Sequence, residues 1–119
     1  MIYLASPYSH PDKLIVKTRF LLAEQCTAIL SAAGKHVYSP IVHYHEIASK
    51  FSLRTDFEYW QRVNFDMIRR ADEFYILRIE GWKESRGVTA EHELARTLFL
   101  PILFVSPEGE AEDAYNKYR

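Results

Sequence analysis

Short apolar runs closed by turn residues alternate along this chain with longer helix-patterned segments, and that alternation limits the folds open to it. Met1 to Ala5 is an apolar run closed by Ser6-Pro7, which reads as a buried strand. Ser9, Pro11 and Asp12 then make a helix start: Ser-x-x-Asp resembles a capping box, and Pro11 suits the first turn. Ile15, Leu22, Cys26, Ile29 and Ala33 form one apolar face of that helix, and Gly34 stops it. His36 to Ser39, closed by Pro40, is a second strand. From Ile41 to Arg54 the pattern is weak, with one short helix around Tyr44 to Lys50. A clear helix runs from about Asp56 to Ala71. Glu73 to Ile79 is the third strand, followed by a polar loop from Glu80 to Gly87, a helix over Val88 to Phe99 and a fourth strand over Pro101 to Val105. The acidic tail from Glu108 is expected to carry a last short helix. Strands alternating with helices imply a parallel sheet with right-handed crossovers. The expectation is one three-layer α/β domain over residues 1–119, flavodoxin- or Rossmann-like. Its strand order is 2-1-3-4, with helices on both faces. Ligands of such sheets bind beyond the carboxyl ends of the strands. The loops Ser6–Ser9, Pro40–Glu46 and Glu80–Gly87 are therefore where a site belongs.

Composition narrows the function classes. A chain of 119 residues suits one domain with one core. With 15 basic against 16 acidic side chains and a formal charge of -1, it lacks the electrostatic footprint of a nucleic-acid polymer binder, although a local site can still hold a single phosphate. The lone Cys26 excludes an internal disulfide and any multi-cysteine metal cluster; in mid-helix on an apolar face it reads as core. No apolar run approaches the ~20 residues that span a bilayer, and no basic n-region follows Met1. A cytoplasmic protein with no membrane partner is expected.

Helical phase singles out two polar residues. Leu94, Ala95 and Leu98 form the face expected to pack on the sheet, and Glu91 lies on the same stripe. A carboxylate there is costly unless it is paired, hydrogen-bonded or needed for chemistry. Glu93 points elsewhere, in phase with Arg96 and Thr97. The plainer alternative for Glu91 is a first-turn interaction with the helix dipole, of about 0.3–1 kcal/mol. On the preceding helix, Trp60, Val63, Met67 and Ala71 form the apolar face and Asn64 falls within it, whereas Asp66 lies opposite, flanked by Arg62 and Arg70. Ser85-Arg86-Gly87 precedes a helix N-terminus, where free N–H groups favour anions; a plain cap with a glycine turn is the alternative. His36, His43 and His45 show no specific metal-ligand spacing, so no metal or cofactor is expected. His43 or His45 in the loop after strand two is better read as facing a substrate.

The order of these features resembles the nucleoside 2-deoxyribosyltransferase-like superfamily, whose members include 2′-deoxynucleoside 5′-phosphate N-hydrolases and short bacterial families. The resemblance covers most of the chain. It rests on Ile2-Tyr3-Leu4-Ala5-Ser6-Pro7, on Asn64…Ala71-Asp72, and most specifically on Ser85-x-Gly87-x-x-x-Glu91-x-x-x-Ala95. It implies that Glu91 is the carboxylate that attacks the anomeric carbon and that Tyr3 orients it. Ser85 matches a phosphate-contacting serine of the nucleotide hydrolases, which tilts the substrate toward a 5′-phosphate. Asn64 stands where the family has an active-site aspartate, and an amide cannot act as acid or base.

The reading is an enzyme acting on the N-glycosidic bond of a nucleoside or nucleotide, by transfer or hydrolysis. Glu91, Tyr3 and Asn64 form its catalytic group. Ser6, Pro7, Tyr8, His43, His45, Trp82, Ser85, Arg86 and Gly87 are expected around the substrate. Two alternatives stay open: a non-catalytic nucleotide-binding module, and another sugar-nucleotide enzyme on the same fold. Relatives commonly complete their site with a neighbouring subunit, and Tyr44, Phe51, Phe57 and Tyr59 offer apolar contact, so a homo-oligomer is expected.

Overall fold

The structure, a computed structural model, describes residues 1–115. All four residues of β1 (Ile2–Ala5) are buried, although successive side chains point to opposite faces. A strand buried on both faces belongs inside a parallel sheet. It pairs in parallel with β2 (Val37–Tyr38) on one side and β3 (Glu73–Leu77) on the other, and β4 (Ile102–Val105) continues in parallel beside β3. The expected order 2-1-3-4 is present. A fifth strand, β5 (Ala111–Asp113), adds an antiparallel edge on β4. Through its described residues, the tail from Glu108 is thus a returning strand and not a helix. Pro107-Glu108-Gly109 makes the turn, with Gly109 at φ +83°. The open hydrogen-bonding edge of β4 then captures a segment too short and polar to hold a helix.

The faces carry different helices. On one, α1 (Lys13–Ala32) brings Ala23, Cys26 and Leu30 against Ile2, Leu4, Tyr75, Leu77 and Val105. On the other, α3 (Phe57–Arg69) and α4 (Arg86–Thr97) bring Ile68, Val88 and Ala95 against Tyr3, Ala5, Phe74, Ile76 and Ile102. Between β2 and α3, α2 (Pro40–Phe51) packs along α1. It is longer than the short helix expected there, because Ser39 caps it and Pro40 supplies a preset first turn.

Three local expectations change. Asp12, not Ser9, caps α1, its carboxylate accepting the N–H of Leu14 at 2.9 Å. The buried stripe of α1 runs through Phe20, Ala23, Cys26 and Leu30, leaving Ile29 at the surface, because α1 must face the sheet and α2 together. Leu98 and Val63 are also exposed; α4 ends at Thr97, so Leu98 is its C-cap and not a packing residue. No helix among the described residues is long and apolar enough to cross a membrane.

Candidate active site

The loops after β1, β2 and β3 enclose a pocket of about 670 Å³. It lies beyond the carboxyl ends of the strands, at the point between β1 and β3 where the strand order reverses.

Glu91 lines this pocket and is 7% exposed. Helix α4 begins at Arg86, two residues earlier than the sequence pattern suggests, so Glu91 sits beyond its first turn. The dipole explanation therefore fails, and Ser85 provides the cap, its hydroxyl oxygen accepting the N–H of Val88 at 3.1 Å. Two donors hold the carboxylate. The Tyr3 hydroxyl donates to Oε2 at 2.9 Å, and the Asn64 amide donates to the same oxygen at 3.1 Å. Among the described residues Oε1 has no hydrogen-bond donor. Desolvation by burial pushes the Glu91 carboxyl up to about 7, against the opposing pull of the bonds from Tyr3 and Asn64. Burial, and next the adjacent Glu91, raises the Tyr3 phenol well above its ordinary range, so it stays a donor. Asn64 is tied to Glu91 through its nitrogen, while its Oδ1 is buried and unpartnered among the described residues.

The wall from α2 and α3 is aromatic. Tyr44 lies with its ring centre 4.3 Å from that of Trp60, and Phe57 and Phe65 extend the surface. Trp60 is fixed by its indole N–H donating to the carbonyl of Arg54 at 2.6 Å. Arg54 in turn grips Asp56, the N-cap of α3, through two bonds of 2.8 and 2.7 Å.

The sequence-predicted residues divide. Glu91, Asn64, Ser6, Tyr8, His45, Ser85, Arg86 and Gly87 line the pocket, with Tyr3 buried at Glu91's back. His45 shares a 2.6 Å hydrogen bond with the Tyr8 hydroxyl through Nδ1 and stacks on Phe20; burial, and next Lys17, lowers its pKa. Arg86 donates to Glu58 at 3.1 Å and lies over the Phe57 ring, so its charge is already answered. Three expected substrate contacts are absent from the lining. Pro7 is fully buried in the β1–α1 turn. His43 points away on the outer side of α2, against Tyr38 and Tyr44. Trp82 packs edge-on against Phe104, 5.1 Å between ring centres, because the chain turns at Gly81 and sends the indole to the β4 side.

Sequence reasoning also missed pocket residues, Arg19 above all. The signal was present: Arg19 precedes Ala23, Cys26 and Leu30 by four, seven and eleven positions, on the stripe of α1 that is buried. Choosing the wrong stripe hid it. Trp60 was read as core packing, although Asn64 one turn later lies beside the same pocket.

A family model described as a domain of unknown function, DUF1937, matches residues 1–106. The chain belongs to that family. Every residue of the Tyr3–Asn64–Glu91 group lies within the DUF1937 match, as do all the pocket-lining residues. No curated protein matches the chain.

Proposed function

We propose that the protein cleaves or exchanges the N-glycosidic bond of a nucleoside or nucleotide, with Glu91 as nucleophile. One observation carries the reading: a buried carboxylate in a pocket, with one oxygen clamped by Tyr3 and Asn64 and the other without a donor among the described residues. Breaking such a bond develops oxocarbenium-like charge on the sugar, which a desolvated carboxylate stabilises and then captures. In that step the Glu91 oxygen forms a bond to the anomeric carbon while the bond to the base breaks. The base leaves with the electron pair of the broken bond. Water or a second base then attacks the same carbon and releases Glu91. The aromatic wall of Tyr44 and Trp60 suits a flat base. The departing base needs a proton, which water or His45, lining the pocket with Nδ1 bonded to the Tyr8 hydroxyl, supplies. The resemblance to the 2-deoxyribosyltransferase-like superfamily supports the same assignment, and no cofactor enters it.

Incubation with a panel of deoxynucleosides and their 5′-monophosphates tests the reading. Free base should appear with wild-type protein and not with Glu91→Gln. Asn64 favours a second reading, a binding module that has kept the pocket and lost the acid. Ligand-dependent thermal stabilisation without base release would select it. In this proposal the protein is cytoplasmic and self-associates through Phe51 and Tyr59, which are exposed, whereas Tyr44 and Phe57 line the pocket. A monomeric mass by light scattering at micromolar concentration removes the self-association.

A further inference from the structure

We propose that the wall of the pocket built on Arg19 binds a phosphoryl group, and so that the substrate is a phosphomonoester. The identity of the remaining ligand rests on the glycosidic reading; the phosphoryl site stands on the following geometry.

Arg19 projects from the buried stripe of α1 into the pocket. Its Nη1 donates to the carbonyls of Ser9 at 2.9 Å and Tyr8 at 3.4 Å, which fixes the plane of the guanidinium. Among the described residues Nη2 makes no hydrogen bond and no carboxylate pairs with the group; Nε is buried without a partner, which leaves Nη2 as the donor that can meet a ligand. A guanidinium held through Nη1, with its charge unpaired and Nη2 unanswered, favours an anion at the pocket wall. Gly81 is part of the same arrangement. A Cβ at that position would lie 2.2 Å from Arg19 Nη2, so the loop after β3 makes room for the cation by having no side chain there.

The neighbouring groups are donors as well. The Nδ1 of His10 accepts the N–H of Asp12 at 2.9 Å, which places the proton of the neutral ring on Nε2. Ser9 lines the pocket beside it, and the hydroxyl of Ser6 has no partner among the described residues. A carboxylate offers two oxygens to this surplus of donors, whereas a phosphomonoester offers three and up to two negative charges. Glu80 and Glu84 line the pocket from the β3–α4 loop, but both are exposed and water-screened. At the other place for an anion, the start of α4, the Ser85 hydroxyl accepts the N–H of Val88, and Arg86 is exposed and paired with the exposed Glu58.

Calorimetric titration of the wild-type protein with inorganic phosphate, the four common deoxynucleosides and their 5′-monophosphates tests the assignment. At least one monophosphate should bind roughly tenfold or more tightly than its nucleoside, and Arg19→Gln should remove that advantage while nucleoside affinity stays. Equal affinity of nucleoside and monophosphate in the wild type would overturn the proposal. So would an advantage that survives Arg19→Gln, or one that is lost in Arg86→Gln alone. Arg19 also pins the β1–α1 turn, so a variant that fails to fold is replaced by a wild-type readout. The side-chain Nε–H resonance of Arg19 should shift as inorganic phosphate saturates the protein, and a resonance unmoved at saturation refutes the site. Phosphate binding at Arg19 without release of base would keep this inference and defeat the enzymatic reading. Release of base from nucleosides with no response at Arg19 would do the reverse.

Discussion

The two faces of one sheet follow different rules in this molecule. Toward α1, β1 sends Ile2 and Leu4 into a cluster with Ala23, Cys26, Leu30, Tyr75 and Leu77, which are buried as apolar packing. Burial there raises the Cys26 thiol to about 11, which leaves it protonated and inert. Toward α3 and α4 the same strand sends Tyr3, whose hydroxyl meets a buried glutamate and an asparagine. Both faces are buried, and α1 leaves polar atoms of Arg19 and Thr27 unpartnered, but among the described residues only the second face buries a carboxylate. A fold under pressure for stability alone has no use for that cost. On the proposed function the second face holds the reacting carboxylate, and substitutions on each side sharpen or break the contrast.

The largest effect is expected at Glu91. On the proposed mechanism Glu91→Gln keeps size and hydrogen bonding but loses the charge of the oxygen assigned to attack, so base release should fall by a factor on the order of 10³ or more. Retained turnover would dissolve the distinction between the faces. On the dry face, Leu4→Ala should lower unfolding free energy by about 2–5 kcal/mol with no dependence on pH, read by urea denaturation.

The third test separates the faces by pH. The Glu91 carboxyl has a folded value of about 7 against an ordinary 4.5, so the folded state binds the extra proton between those values. Its stability is therefore undiminished below the unfolded value and declines as pH rises through about 7, by up to about 3 kcal/mol. Glu91→Gln should flatten that slope and exceed the wild type in stability at pH 8. Activity should move oppositely, rising through the same pH as the carboxylate forms. A wild-type stability profile that is level from pH 5 to 8 would show that the carboxylate is not desolvated as its burial implies.

Smaller effects follow. Tyr3→Phe removes a bond that favours the charged carboxylate, so the midpoint of the pH–rate profile should move above about 7. An unmoved midpoint would mean that Tyr3 only packs. Glu93→Gln on the exposed side of α4 should change stability by no more than about 0.5 kcal/mol and leave turnover intact, as a matched control.

Much of this arrangement is legible without coordinates because it depends on local periodicity. Apolar runs of four or five residues between helical patterns imply a parallel sheet, and chirality then leaves few strand orders. Glu91 and Asn64 stand out because each breaks an apolar stripe at helical spacing, which is a property of one helix alone. Ser85 and Gly87 fall at a helix start for the same reason.

What only the tertiary structure decided depends on which surfaces meet. The sequence of α1 carries apolar residues on more than one side, and the choice of buried stripe is made by the sheet and α2 together; that choice also brings Arg19 into the pocket. His43 and His45 are two residues apart on α2, and a helix turns such neighbours to different sides, so packing sends one to the pocket and the other to its outer surface. Trp82 leaves the site because Gly81 reverses the chain, and β5 forms because β4 offers an open edge. Local pattern determined the elements and flagged the carboxylate. Long-range contact, which no short window of sequence contains, decided what stands around it.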